Sequence, residues 1–171
     1  TGLDFYHSDI NKKAQYKIFE MHIEASYATN LPLIIHQRNS EKEIIDIIYN
    51  YHKEKKLNLV FHCFTGSENL LKFSLNNNFY ISLSGIITFK NAENLRNIVK
   101  KTPLYSLLLE TDSPYLTPEP KRGKINEPSY VKYIFEYLSN FFEIDINELE
   151  KITDDNFYKL FSKAKRYNEI S

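Results

Sequence analysis

The sequence predicts an α/β protein in which parallel strands alternate with helices. Short apolar runs recur at roughly 25-residue intervals, and segments of helical spacing separate them. Each run also stops at a polar or glycine position of chemical interest: His36, His62, Ser84-Gly85 and Glu110. Two architectures fit this alternation, an open doubly wound sheet and a (β/α)₈ barrel. About four strand-helix units are visible, whereas a whole barrel takes ~200 residues or more. The 171-residue chain is therefore expected to be a small open sheet or a barrel cut in half, with residues 1–171 as a single domain.

The elements follow in order. Ala14, Ile18, Phe19, Ile23 and Ala25 recur at helical spacing between Asp9 and Thr29, with Asp9 as the expected cap. The run 31–36, Leu-Pro-Leu-Ile-Ile-His, admits Pro32 only near its start and reads as a buried strand ending at His36. Ser40 and Glu43 have the spacing of a capping box, and Ile44, Ile45, Ile47, Ile48 and Tyr51 follow as a helix face. Residues 57–62 form the next strand, again ending in a histidine, and Ser67 caps a helix through Leu70, Leu71 and Leu75. A strand over 79–84 stops at Gly85; a helix over 91–101 turns Leu95, Ile98 and Val99 inward; and residues 104–110 form the fourth strand. Beyond it a loop rich in proline leads to two helices. One carries the stripe Val131, Ile134, Phe135 and Leu138; the other opens at Asp145 and carries Leu149, Ile152, Phe157, Leu160 and Phe161. The segment Gly2-Leu3-Asp4 reads as the end of a further strand.

Composition excludes several classes. Lys and Arg number 22, as do Asp and Glu, so no global basic field attracts a polyanion; a local patch or a metal must hold one. No apolar run approaches the ~18 residues of a membrane-spanning helix, and no membrane partner is expected. A lone cysteine, Cys63, weakly favours a reducing compartment; the expected location is cytoplasmic or nuclear. Thr1 is not an initiator Met, and the N-terminus reads as the inside of a longer chain.

In a parallel α/β arrangement the strand C-termini share one rim, so residues just past them converge. Here those residues are His36, His62, the Ser84-Gly85 pair and Glu110-Thr111-Asp112, so that two histidines and a carboxylate, taken as Asp112, meet on one face. Two imidazoles and a carboxylate at three strand ends are the donors of a catalytic metal site with coordination positions left open. Asp112 is placed both to hold metal and to take a proton from an attacking water. A single strand-end histidine is as readily satisfied by a backbone carbonyl; the constellation is not. Cys63 follows His62 and is expected to point to the other side of its strand. Thr65, in Phe64-Thr65-Gly66, offers a hydroxyl beside backbone amides, and Arg122 with Lys124 forms a basic cluster ahead of a helix; both suit phosphate, although solvated loops explain them equally well. Tyr115 is placed to stack on a base or sugar, or else to pack under its loop. His7 is a further candidate for the rim, whereas His22 and His52 read as surface or packing residues.

Taken together, Gly2-Leu3-Asp4, Ile35-His36-Gln37-Arg38, His62-Cys63-Phe64-Thr65-Gly66, Leu83-Ser84-Gly85, the run 109–116 (Leu-Glu-Thr-Asp-Ser-Pro-Tyr-Leu) and Asn126-Glu127-Pro128 resemble the TatD family of metal-dependent deoxyribonucleases. The resemblance implies a TIM-type (β/α)₈ barrel, here its C-terminal half of about four strand-helix units. It implies DNA as substrate and a divalent metal cofactor, two ions of Mg²⁺, Mn²⁺ or Zn²⁺. On ligand softness the histidines suit Zn²⁺ or Mn²⁺ better than Mg²⁺. Carried over by position, His36 and His62 match two metal histidines of the family, and Asp112 matches its strand-end metal carboxylate and catalytic proton acceptor. Arg38, Thr65, Arg122 and Lys124 become phosphate-binding candidates. The family's His-x-His pair and the Glu one residue ahead of x-Gly-Leu-Asp are not in the sequence, and Ile125 stands where the family usually has Arg. Two other readings stay open: a small-molecule hydrolase on the same barrel, and a non-catalytic half-barrel that self-associates through its open edges.

Overall fold

The structure is a computed structural model that describes residues 1–6 and 11–164. Five parallel strands, β1 (Gly2–Asp4), β2 (Leu33–Arg38), β3 (Leu59–Phe61), β4 (Tyr80–Leu83) and β5 (Leu107–Leu109), lie side by side in chain order. This order decides between the two architectures. A doubly wound sheet reverses its strand order at a switch point; a sheet that keeps adding the next strand on the same side is the arrangement of a (β/α) barrel. The connections carry helices α1 (Lys12–Thr29), α2 (Glu41–Glu54), α3 (Glu68–Asn76) and α4 (Glu93–Val99), and α5 (Val131–Phe142) and α6 (Ile146–Leu160) follow the last strand.

Strand parity divides the side chains between two faces. Leu3, Ile35, Phe61, Ile81, Leu83 and Leu107 join Phe19, Ile23, Ile44, Ile48, Ile134 and Leu138 of the helices in the main core. Val60 and Leu108 point the other way and form a second, small cluster with Leu160, Tyr80 and Phe161. Ile34 shares that inner face and is 49% exposed.

Several expected elements differ from those found. The strand expected to end at His36 runs on to Arg38, because β1 pairs with its last three residues: Gly2 opposite His36, Leu3 opposite Gln37 and Asp4 opposite Arg38. Gly2 has φ +121°, and a Cβ there would lie 2.0 Å from the His36 carbonyl oxygen, so the two chains approach only because no side chain intervenes. Only Leu107–Leu109 of the expected fourth strand is extended; Leu104–Ser106 is a 3₁₀ turn. Asn156 of α6 explains the change, since its amide donates to the carbonyls of Leu104 (2.7 Å) and Leu107 (2.9 Å).

Helix α1 is capped by Asn11, which accepts from the Ala14 amide at 3.0 Å; Asp9 and His7 lie outside the described residues. Its buried face is Phe19, Ile23 and Ser26, while Ile18 is 52% exposed and Ala25 faces solvent. The Ser40 hydroxyl caps nothing and instead donates 2.7 Å to the Leu3 carbonyl, tying α2 to β1. Ser67 and Asp145 do cap α3 and α6, each accepting from two backbone amides. Among the described residues no helix is long and apolar enough to cross a membrane.

Candidate metal centre

The inner face that carries Ile34, Val60, Tyr80 and Leu108 also carries His36, His62, Ser82 and Glu110 at or just past the same strand ends. Their side chains join into a row. Asp4 Oδ2 lies 3.1 Å from His36 Nε2, His36 Nδ1 lies 3.2 Å from His62 Nε2, and His62 Nδ1 lies 3.2 Å from Glu110 Oε1. The Ser82 hydroxyl closes the row on Glu110 Oε2. Each histidine thus has one ring nitrogen backed by a carboxylate and the other turned towards its neighbour. This is how metal-binding histidines are held: the rear carboxylate fixes tautomer and ring orientation and makes the front nitrogen a better donor.

Asp112 reaches the same place from the loop after β5. One ligand atom each from His62, Glu110 and Asp112 lies within 4.8 Å of the others. Sequence reasoning placed His36, His62 and Asp112 on one rim, and all three line one cavity of 610 Å³. It placed Glu110 on the same rim without giving it a role, and it missed that Glu110 and Asp4 are the partners of the histidines. The available signal was parity, since Glu110 lies two residues beyond the inner-facing Leu108. The donor set of imidazole and carboxylate groups fits a divalent cation.

Electrostatics agree with this division of roles. The hydrogen bond to Glu110, with the added negative charge of Asp112, holds the His62 imidazole above its ordinary pKa against the opposing effect of burial. Burial pushes the Glu110 carboxyl upward, but hydrogen bonds from His62 and Ser82 outweigh it and the net shift is downward. Asp112 moves the other way. Its burial, reinforced by Glu110, raises it despite the two histidines.

The loop that presents Asp112 is pinned by Asn126, which is 3% exposed. Its amide donates to the carbonyls of Thr111 (2.7 Å) and Tyr115 (2.5 Å). Gly85 holds the far end, since a Cβ there would meet the Leu116 carbonyl oxygen at 1.9 Å. Asp112, Leu116 and Cys63 have φ of 55°, 56° and 48° and all line the cavity. Left-handed backbone at non-glycine residues costs of order 1–3 kcal/mol each and collects at functional sites. Cys63 corrects an expectation. It follows the end of β3 in a turn, so strand alternation does not apply to it, and it lines the same cavity as His62. Burial pushes its thiol up to about 12, which keeps it protonated.

Arg38 and Thr65 line the cavity; Arg122 and Lys124 do not. The Arg122 guanidinium lies 3.9 Å from the centre of the Phe89 ring and donates 3.0 Å to the Thr117 carbonyl, where it holds the loop together. The Lys124 carbonyl accepts from the Thr117 hydroxyl at 2.7 Å. His22 is exposed on α1, and His52 is buried, its Nδ1 accepting from the Leu57 amide at 3.0 Å.

A parallel sheet wound in chain order, with imidazole and carboxylate donors gathered at its C-terminal rim, defines a metal-binding protein of the (β/α)-barrel class. Comparison with known proteins narrows this. The family described as TatD related DNase matches residues 1–162, and the chain belongs to the TatD family. A Buchnera aphidicola protein named as an uncharacterized metal-dependent hydrolase, BU355, is 48% identical over 162 residues, covering 95% of this chain and 61% of that protein. The Bacillus subtilis protein YabD, named in the same way, is 40% identical, covering 94% of this chain and 62% of its own length. Among solved structures, the TatD homolog YJJV of Escherichia coli K12 superposes with a TM-score of 0.86 at 26% identity, over 94% of this chain and 61% of that one. The chain thus spans about three-fifths of the relatives it matches.

Proposed function

We propose that this chain supplies part of the active site of a metal-dependent nuclease that hydrolyses phosphodiester bonds of DNA. The observation that carries the reading is the pair of carboxylate-backed histidines facing Asp112 across a cavity that also presents Arg38 and Thr65. His36, His62 and Asp112 would hold a divalent cation, or two, with Asp4 and Glu110 fixing the rings from behind. The cation supplies, when bound, charge for the phosphate and acidity for a water.

The chain's own residues do the rest. Arg38 is poised for phosphate: its guanidinium lies 3.4 Å from the centre of the Tyr6 ring, which restrains an otherwise exposed side chain. Thr65 offers a hydroxyl on the same side. Asp112 accepts the proton that the attacking water loses.

Replacing Asp112 by Asn keeps the shape and removes the proton acceptor. The expected result is a fall in DNA degradation of about 10²–10⁴-fold, measured with added Mn²⁺ or Mg²⁺ and abolished by chelator in the parent protein. Degradation that is unchanged in Asp112→Asn, or indifferent to chelator, rejects the reading.

A further inference from the structure

The cavity has two unlike sides. On the β2 flank it is bounded by Gln37 and Arg38; on the flank of β4 and β5 it is bounded by Ile86, Tyr115 and Leu116. An occupant that satisfies both must be anionic at one end and flat and apolar at the other. Its 610 Å³ falls within the ~300–1,000 Å³ usual for ligand sites.

Tyr115 is the outstanding residue of the apolar side. The residue is 70% exposed, so it does not pack under its own loop. Yet its backbone is fixed at both ends: the amide donates 2.9 Å to the Asp112 carbonyl and the carbonyl accepts from Asn126 at 2.5 Å. An exposed aromatic on a backbone held this firmly has the property of a stacking platform, since little further order is lost when a flat partner lands on it.

We infer that Tyr115, on the cavity flank it shares with Ile86 and Leu116, is a binding subsite that stacks the base of a nucleotide next to the scissile phosphate, while Arg38 on the opposite flank holds a neighbouring phosphate. This rests on the nuclease reading and adds to it a direction. The base lies over the β4–β5 side of the rim and the backbone runs towards β2. Stacking tolerates any base, so the subsite recognises the presence of a base and not its identity.

The test is a chemical double-mutant cycle with the full chain. Two dye-labelled single-stranded oligonucleotides, one normal and one abasic at its terminal nucleotide, are titrated by anisotropy in Mn²⁺, against the parent protein, Tyr115→Ala and Tyr115→Phe. The parent and Tyr115→Phe should prefer the normal oligonucleotide by about 5- to 150-fold, and Tyr115→Ala should bind both alike. Arg38→Ala should weaken both oligonucleotides equally and flatten the salt dependence by about one unit of slope. A Tyr115→Ala protein that still prefers the normal oligonucleotide overturns the subsite and leaves the nuclease reading standing. A parent protein that binds neither oligonucleotide overturns both.

Discussion

The two histidines and Asp112 line one cavity, but they are held there in different ways. His36 stands on β2, paired with Gly2 of β1, and His62 stands just past β3, its amide donating 3.0 Å to the Ile35 carbonyl; the carboxylates of Asp4 and Glu110 lie against their rings. Asp112 stands on a loop that has no ladder to hold it and relies on Asn126, on the Thr117–Lys124 bond and on the close approach of Leu116 to Gly85. The sheet places a ligand by register, whereas the loop places one by a few bonds from residues distant in sequence.

Glu110→Gln attacks the sheet side. It leaves an acceptor for His62 but removes the charge behind the ring, and metal affinity should fall by about 10–100-fold. Isothermal titration with Mn²⁺ measures it; an unchanged affinity would show that the carboxylate does not tune the ring.

Asn126→Ala attacks the loop side. Two part-buried carbonyls lose their donor, at no more than about 1–3 kcal/mol, and the loop bearing Asp112 and Tyr115 loosens. Thermal unfolding should register that loss. Metal affinity should fall less than in Glu110→Gln while turnover of DNA drops. Equal losses of affinity in the two variants would erase the distinction between sheet and loop.

The smallest effect comes from His52, buried behind the sheet. Burial, with the positive charge of Lys56, lowers its imidazole below the ordinary value of 6.5. The unfolded chain then takes up the proton first as pH falls, so the contribution of His52 is complete above about pH 6.5 and drains away towards the lower folded value. Melting curves between pH 7.5 and 5 should fall less steeply for His52→Gln, which keeps an acceptor for the Leu57 amide. Parallel curves would show that His52 is silent.

The same contrast explains what the sequence disclosed. Apolar runs and their polar ends located the strands and brought His36, His62 and Asp112 to one rim, because strand direction does that work locally. The extension of β2 to Arg38 was hidden, since Gln37 and Arg38 carry no apolar signal and owe their extended form to β1. The role of Asn126 was hidden for a similar reason: a side chain that serves backbone carbonyls 11 and 15 residues away leaves no periodic trace. Arg122 stood in the sequence as a candidate for phosphate and is found against Phe89, a contact that no spacing rule announces.

The row from Asp4 through His36, His62 and Glu110 to Ser82 has one member from each strand position across the sheet. Such a line behaves as a single polarisable unit, in which a charge altered at one margin is felt at the other through two aromatic rings. Its members share one fate: losses measured by altering them one at a time cannot be summed.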